Sequence, residues 1–192
     1  MSSREFDAPV PASSPPVAPE RVVLDPEGIR RAVTRIGHEI LERNSDPGSL
    51  MLVAIAEGGV PIGEMLAERL RIDSGREVPL GVLDVTLYRD DVIVERKRPL
   101  PHRTRMAESV TGRRVVLVED VVFTGRTVRA AMDAVIDFGR PEAIQVATLV
   151  DRGHRELPIR VDYVGKNLPT ARAERVVLRP RPDGPLEVVV AV

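Results

Sequence analysis

The chain contains no cysteine, and this absence removes two classes of protein at once. Without thiols there is no disulfide framework and no thiolate metal site, and nothing indicates an oxidising compartment. Long apolar runs are missing as well, since no stretch approaches the roughly 20 residues that a membrane-spanning helix needs. The N-terminal segment carries Arg4, Glu5 and Asp7 and therefore lacks the apolar core of a signal peptide. We expect a cytoplasmic protein with no membrane partner.

The composition is otherwise that of an ordinary globular domain. With 192 residues, of which 43% are hydrophobic and 30% charged, the chain is long enough to bury a core in one domain. Residues 1–21 are rich in Pro, Ser and Ala, so we expect a disordered tail there and a single domain over residues 22–192. The net charge of −1 argues against indiscriminate binding to nucleic acid, so any RNA site has to be a local basic patch.

Two common phosphate-binding motifs are also absent. No G-x-x-x-x-G-K-[ST] sequence occurs, and Gly58, Gly59 and Gly63 do not form G-x-G-x-x-G. The most informative segment is instead residues 115–127, Val-Val-Leu-Val-Glu-Asp-Val-Val-Phe-Thr-Gly-Arg-Thr. An apolar run there ends in two adjacent acids, and a short turn then opens an amphipathic helix.

The two halves of this segment suit the two ends of a ribose 5-phosphate. Backbone N–H groups at a helix start favour an anion, Gly125 permits close approach, and Thr124 and Thr127 add hydroxyl donors. Carboxylates such as Glu119 and Asp120 accept hydrogen bonds from vicinal hydroxyls and, through waters, help to hold Mg²⁺. Alone, the acids could be a solvated strand end and the turn a helix cap. Their order directly after a strand favours a ribose-phosphate site.

The remaining sequence predicts alternating strands and helices and hence a parallel α/β sheet. Asp25 is the predicted N-cap of a first helix, with Pro26 in its first turn and an end near Asn44. Further helices are predicted at 60–70 and 127–138, and strands at 50–56, 78–87, 114–118, 143–150, 161–164, 175–178 and 186–190. Residues 89–114 are strongly charged and show no clear period, so we expect an exposed, mobile segment there. Ligands in such sheets bind beyond the carboxyl ends of the strands.

Residues 115–127 resemble the signature of the type I phosphoribosyltransferases, an apolar strand followed by two acids and T-G-x-T. Four further blocks narrow the resemblance to the pyrimidine operon attenuation proteins: residues 30–39, 86–91, 149–160 and 162–169. That family couples RNA binding to uracil phosphoribosyltransferase activity, and the match covers roughly residues 22–180. The resemblance implies an α/β type I phosphoribosyltransferase fold, with a central, mostly parallel sheet flanked by helices, a small hood and a mobile lid segment.

The resemblance also implies roles for individual residues. Glu119 and Asp120 would bind the ribose hydroxyls of 5-phosphoribosyl diphosphate, while Arg89 begins the lid, although Tyr88–Asp91 could also be a polar strand exit. Mg²⁺ would arrive with the diphosphate, without direct protein ligands. Asp151 and Arg152 would orient uracil, the alternative being a surface ion pair. The 5′-phosphate would be wrapped by Val121, Val122, Phe123, Thr124, Gly125, Arg126 and Thr127.

The chain departs from the family pattern in two places. Glu119 stands where relatives usually have Asp, which moves the carboxylate by about one bond length. Glu57-Gly58-Gly59 stands where relatives carry Thr-Arg-Gly, a loop suited to diphosphate, so that an acid now lies beside a polyanion. One interpretation is reduced or lost transferase activity with nucleotide binding retained. The other is a tolerated loop variant, with Arg89 or the basic segment 96–105 serving instead.

The resemblance implies that two basic groups lie on an RNA-binding surface. On the first helix, an apolar stripe (Ile29, Val33, Ile36, Ile40) lies nearly opposite a stripe formed by Arg31, Thr34, Arg35 and His38. Such an outer face is common on surface helices, but its donors also suit phosphates and loop bases. The second group comprises His154, Arg155, Arg160 and Lys166. Replacing Arg155 or Arg160 by alanine is expected to weaken RNA binding with little effect on nucleotide binding.

The favoured interpretation is a bifunctional regulator of pyrimidine biosynthesis. It would make UMP from uracil and bind an mRNA stem-loop more tightly when a uridine nucleotide, UMP or UTP, fills its pocket. The first alternative is an RNA-binding nucleotide sensor with weak or no transferase activity. The second is a phosphoribosyltransferase for another base without an RNA role. The resemblance further implies a homodimer or a higher homo-oligomer.

Overall fold

The computed structural model describes residues 20–89, 104–106 and 108–191. The chain forms eight strands and three helices within these ranges, besides one short 3-10 turn at Pro47–Ser49. In chain order the elements are β1 (Arg21–Leu24), α1 (Pro26–Arg43), β2 (Leu50–Ile55), α2 (Gly59–Ser74), β3 (Leu80–Leu83), β4 (Arg114–Val122), α3 (Arg126–Ile136), β5 (Ala143–Asp151), β6 (Tyr163–Asn167), β7 (Arg175–Pro180) and β8 (Leu186–Ala191).

Five strands form a central parallel sheet in the order β3-β2-β4-β5-β6. All six residues of β2 are buried, as expected for a strand that is covered on both faces. Because side chains alternate along a strand, Leu50 and Leu52 pack in the core beneath α1 and α2, whereas Met51 and Val53 pack with α3. The predicted parallel α/β sheet is therefore confirmed.

The first helix begins as the sequence predicts. The side chain of Asp25 accepts a hydrogen bond from Gly28 N at 2.7 Å, and Pro26 occupies the first turn. The predicted apolar stripe is buried: Ile29, Ile36 and Ile40 are each at most 1% exposed. None of the helices in the described ranges combines the length and apolar character needed to cross a bilayer.

A second, three-stranded antiparallel sheet in the order β1-β8-β7 corresponds to the expected hood. Val188 and Val190 of β8 join the hydrophobic core that contains the buried face of α1. Strand β1 was not predicted from sequence, because four residues carry too short a pattern and their pairing partner, β8, lies at the other end of the chain. It begins at Arg21, while residues 1–19 of the expected tail lie outside the described ranges.

Two strand boundaries differ from the predictions. β4 continues past Val118 to Val122, since β5 goes on pairing with it from Glu119↔Thr148 to Val122↔Asp151. The acids therefore lie within the strand rather than after it. The strand expected at 78–87 is shorter, since Asp84 Oδ1 accepts a hydrogen bond from Thr86 N and turns the chain away. Most of the expected mobile lid, residues 90–103, lies outside the described residues.

Candidate active site

Two adjoining cavities open at the carboxyl ends of the central strands. The first, of about 350 Å³, is lined by Arg89, Glu119, residues 121–128 and Glu156. The second, of about 280 Å³, is lined by residues 55–58, 84–86, Arg89, Glu119, Asp120 and Thr127. Arg89, Glu119 and Thr127 belong to both linings. The structure thus brings together the acids, Arg89 and the helix-opening turn around these cavities, while their roles in ligand binding stay predictions.

Residues 121–127, here called the phosphate loop after their predicted role, include Gly125, the N-cap of α3, and the first two residues of that helix. Gly125 has a φ of +91°, a conformation that favours glycine. Space is short as well, because a Cβ at this position would lie 3.2 Å from Ile159 Cβ. As an N-cap without a side chain, Gly125 cannot itself accept from the first-turn amides of α3. An anion can take that place, in line with the dipole of the helix.

Glu119 and Asp120 form a buried, mutually coupled pair of carboxyl groups. Glu119 lines both cavities, yet its Oε2 is buried and has no hydrogen-bond partner among the described residues. Burial and the charge of Asp120 raise the pKa of Glu119 well above its ordinary value, against a smaller opposing effect of Arg89. Burial also raises the pKa of Asp120, although hydrogen bonds from backbone N–H groups oppose the change. Such a pair is suited to accept hydrogen bonds from a ligand's hydroxyls.

The 57–59 turn is tightly packed against the strand that carries the acids. Glu57 adopts a φ of +74°, which is unusual for a residue with a side chain. A Cβ at Gly58 would overlap the carboxylate of Asp120, and one at Gly59 would overlap the carbonyl oxygen of Val118. Glu57 also contributes to the raised pKa of Asp120 through its charge. The glycines therefore let the turn approach the acids, while Glu57 adds negative charge to the second cavity.

Asp84 is a lining residue that sequence reasoning missed. It lies in the second cavity, and its Oδ2 is buried without a hydrogen-bond partner among the residues described. The available signal was its position just after β3, the strand that pairs with β2. Because a strand was expected over residues 78–87, a single acid within it was not distinctive enough to be selected.

Asp151 and Arg152 do not form the surface ion pair considered from sequence. Arg152 is 7% exposed. Its guanidinium donates to Thr170 Oγ1 and to the carbonyl oxygens of Ala171 and Glu174, and lies 4.1 Å from the ring centroid of Phe123. Asp151 instead pairs with Arg155. Neither Asp151 nor Arg152 lines the two cavities. Contact of this pair with uracil stays a prediction.

The polar stripe of α1 lines a separate, shallow surface groove of about 400 Å³. Arg31, Arg35 and His38 are exposed there, and Thr34 is half-buried. Arg35 donates to Glu39 and to the carbonyl oxygens of Val164 and Gly165. It therefore lies next to the part of β6 that carries Lys166. His38 lies 3.3 Å from a carboxylate oxygen of Asp73. The face thus contains more acids than the helix sequence alone indicated.

The 154–160 group divides into anchored and exposed side chains. His154 has a φ of +57°, and its Nε2 lies 2.6 Å from Thr170 O. The side chain of Arg155 is only 20% exposed and is bonded to the phosphate loop at Phe123 O. Arg160, by contrast, is exposed. The expectation that Arg155→Ala would spare nucleotide binding is therefore at odds with its position, whereas Arg160 remains suitable as an RNA contact.

A metal site built from the protein alone is not found where the chain is described. Residues 20–89, 104–106 and 108–191 contain no group of three or more His, Cys, Asp or Glu arranged to hold a metal ion. Two partnerless buried carboxylate oxygens, Glu119 Oε2 and Asp84 Oδ2, nevertheless belong to lining residues of the second cavity. This donor set fits a cation that arrives already bound to a ligand.

The parallel sheet, the hood and an acid pair leading into a glycine turn and a helix define a type I phosphoribosyltransferase fold. A model of the phosphoribosyl transferase domain matches residues 23–178. Curated relatives named "Bifunctional protein PyrR" include those of Pelotomaculum thermopropionicum, 56% identical over 88% of this chain and 93% of that protein, and Deinococcus radiodurans, 54% identical over 84% and 88%. The chain belongs to the phosphoribosyl transferase family, within its PyrR group.

Solved structures support the fold. A hypoxanthine phosphoribosyltransferase from Trypanosoma cruzi in complex with IMP matches with a TM-score of 0.63 and 22% identity, over 88% of this chain and 81% of that one. A hypoxanthine-guanine phosphoribosyltransferase from Bacillus anthracis matches with a TM-score of 0.63 and 20% identity, over 78% and 84%. At such low identity these likenesses concern the fold alone.

Proposed function

We propose that the protein is a bifunctional regulator of pyrimidine biosynthesis that transfers the phosphoribosyl group of 5-phosphoribosyl diphosphate to uracil and also binds an mRNA stem-loop. The observation that carries the transferase half is the junction of the two cavities. There the coupled acids Glu119 and Asp120 meet the start of α3. A ligand with a phosphate at one end and a diol next to it matches this order of donors and acceptors.

The residues of the first cavity suit the 5′-phosphate and the ribose. Backbone N–H groups of the phosphate loop and the hydroxyls of Thr124 and Thr127 donate to the phosphate oxygens. Glu119 and Asp120 accept from the ribose hydroxyls and orient the anomeric carbon towards uracil. Catalysis by such a site consists of positioning and of electrostatic complementarity to an oxocarbenium-like transition state.

The second cavity suits the diphosphate, provided that a cation balances the negative charges of the cavity and of the diphosphate. Glu57, Asp84 and Asp120 line it together with one cation of the described chain, Arg89. Mg²⁺ carried by the diphosphate would neutralise charge on the leaving group and make it compatible with these acids. The relatives are named as bifunctional, which does not favour the alternative of an RNA-binding sensor without transferase activity.

The transferase is tested by a steady-state assay with uracil, 5-phosphoribosyl diphosphate and Mg²⁺. We expect UMP formation with a kcat in the usual enzymatic range of about 1–1000 per second. Hypoxanthine and guanine, offered in parallel, should give much less product. Binding of UMP without any detectable turnover would instead support the sensor interpretation. Preference for another base would contradict the proposal.

For the RNA half, the supporting observation is that Arg35 of the first basic group lies beside the strand that carries Lys166 of the second. Arg35 of α1 is hydrogen-bonded to the carbonyl oxygens of Val164 and Gly165 in β6, and Lys166 follows on the same strand. Arg43 further ties α1 to this region through Asp162. A donor-rich surface can bind phosphates and loop bases of a stem-loop. A uridine nucleotide in the pocket would then tighten this binding by linkage.

Arg160→Ala is expected to weaken binding of a stem-loop RNA from the 5′ leader of a pyrimidine operon by several-fold. Loss of one phosphate contact should also reduce the slope of log affinity against log salt by about one. Gel-shift titrations over a salt series measure both quantities. Arg181→Ala serves as the control, because Arg181 is a partly exposed arginine that pairs with Asp183 in the turn between β7 and β8. An unchanged salt slope for Arg160→Ala would contradict the assignment.

Three broader expectations are part of the same proposal. The protein acts in the cytoplasm, residues 22–192 form its single functional domain, and it assembles as a homodimer or larger homo-oligomer. A basic face shared across a dimer would suit an RNA stem-loop. Light scattering with and without UMP tests the assembly.

A further inference from the structure

The segment that follows β5, residues 152–156, is hydrogen-bonded to the carbonyl groups of the phosphate loop. Backbone N–H groups of this segment donate to the loop at two points: Arg152 N to Val122 O and Glu156 N to Thr124 O, each at 3.0 Å. Between these two bonds, Arg155 Nη1 donates to Phe123 O at 2.8 Å. Three successive carbonyl groups of the loop are thus bound by residues 152–156.

This arrangement determines where the loop's amides point. In a planar trans peptide, the N–H of the next residue points opposite to the C=O. Because the carbonyls of Val122, Phe123 and Thr124 point to residues 152–156, the N–H groups of Phe123, Thr124 and Gly125 point the other way. These last three residues line the first cavity. The contacts behind the loop therefore aim its amides at the ligand position.

Two of these three donors are backbone N–H groups, and the third is the side chain of Arg155. Further hydrogen bonds hold its guanidinium in place. Its Nη2 donates to Asp151 Oδ2 at 2.7 Å, and its Nε donates to Ile159 O at 3.2 Å. Nη1 also donates to Gly153 O at 3.2 Å. A planar guanidinium can make these bonds at once, whereas a lysine ammonium cannot match the same fork. Arg155 Cδ also lies within 3.6 Å of where a Cβ on Gly125 would be.

We propose that Arg155 is a positioning residue for the phosphate-binding amides, acting through Phe123 O rather than touching the ligand. The inference rests on the proposed binding of uridine nucleotides. It gives Arg155 a role separate from the RNA contact expected from sequence. Loss of its guanidinium would release the peptide between Phe123 and Thr124, so that the Thr124 amide is no longer held towards the phosphate.

The test compares UMP with uridine, which differs only in lacking the 5′-phosphate. For Arg155→Ala, we expect UMP affinity to fall by about tenfold, the size of one lost charge-assisted hydrogen bond. Uridine affinity should stay within about twofold, as measured by calorimetry or by competition with UMP. Arg155→Lys should lie between wild type and Arg155→Ala, and Arg181→Ala should bind UMP as wild type does.

The comparison of UMP with uridine separates an effect on the phosphate site from a general effect on the protein. Equal losses for UMP and uridine would show a merely structural role, and an unchanged UMP affinity would show no role at the loop. Either result overturns the inference. If Arg155→Ala does not fold, Arg155→Lys is judged by the same ratio of affinities. Failure of the wild-type protein to bind UMP would overturn both this inference and the proposed function, whereas a loss of UMP affinity without a matching loss of uridine affinity, confined to the Arg155 variants, supports both.

Discussion

Glu119→Gln is expected to make the protein more stable at pH 7–8 while lowering kcat/KM for uracil phosphoribosyl transfer by roughly 100-fold or more. Wild-type Glu119 has a buried Oε2 without a partner in the described part of the chain and lies beside a second carboxylate. A neutral amide of the same shape removes the cost of burying that charge. It also removes a charged acceptor for the ribose hydroxyls, so stability and activity change in opposite directions.

The pH dependence follows from the direction of the pKa shift. Burial and the charge of Asp120 raise the pKa of Glu119 well above 4.5, so the folded protein holds this proton more tightly than the unfolded chain. Stability from this group is therefore fully present below pH 4.5 and is lost as the pH rises through the folded-state pKa. Glutamine does not ionise. The variant's advantage should accordingly be absent at pH 4 and grow towards pH 8.

Thermal unfolding from pH 4 to pH 8 measures this effect. A gain on the order of 1 kcal/mol at high pH corresponds to a rise in Tm of about 2–4 °C for a chain of this size. Glu142→Gln is the matched control, since Glu142 is an exposed partner of Arg114 on the surface. Equal Tm changes for Glu119→Gln at pH 4 and pH 8 would contradict the account, as would retention of full transferase activity.

Gly125→Ala is expected to lower UMP affinity by more than tenfold and to abolish most transfer activity. The residue has a φ of +91°, and an added Cβ would meet Ile159 at 3.2 Å and Arg155 at 3.6 Å. Relief of these contacts requires the loop to move away from residues 155–159, which would misdirect the amides. The strained backbone of an alanine at this φ by itself costs about 1–2 kcal/mol.

Gly75→Ala is the control that distinguishes backbone strain from displacement of the phosphate loop. Gly75 also has a positive φ, +68°, but a Cβ there would have no neighbour within 4 Å, and the residue caps the far end of α2. Both variants should lose similar stability, whereas only Gly125→Ala should lose binding of UMP. Calorimetric titration with UMP, together with Tm measurements, makes the comparison. Normal UMP binding by Gly125→Ala would be incompatible with a phosphate site at this turn.

Local patterns explain which parts of the fold could be predicted. The N-cap Asp25, the buried strand at 50–55 and the helix after Gly125 each depend on residues close together in sequence, and each was found. β1 was missed because its four residues gain their stability from pairing with β8. The extension of β4 through the acids likewise depends on pairing with β5, which no local signal reveals.

The side chains of the site show the same difference between what a local motif reveals and what depends on contacts between distant segments. Glu119, Asp120 and the phosphate loop were predicted from a short contiguous motif, and the structure gathers them around two cavities. The resemblance assigned Arg152 to uracil and Arg155 to RNA, and both assignments stay predictions. The structure adds that their guanidiniums are bonded within the protein, that of Arg155 to Phe123 O and that of Arg152 to the turn at 170–174. A sequence shows that an arginine is present but not which acceptors lie within its reach.

The sequence by itself determined the chemistry of this protein, because the acids, the glycine turn and the helix start lie within residues 115–127 and meet through local geometry. The tertiary structure decided how that chemistry is held. The burial that raises the pKa of Glu119, the contact of Gly58 with Asp120, and the bond from Arg155 to a residue 32 positions away all arise from packing between distant segments. Contacts of this kind depend on how the sheet and helices assemble in three dimensions.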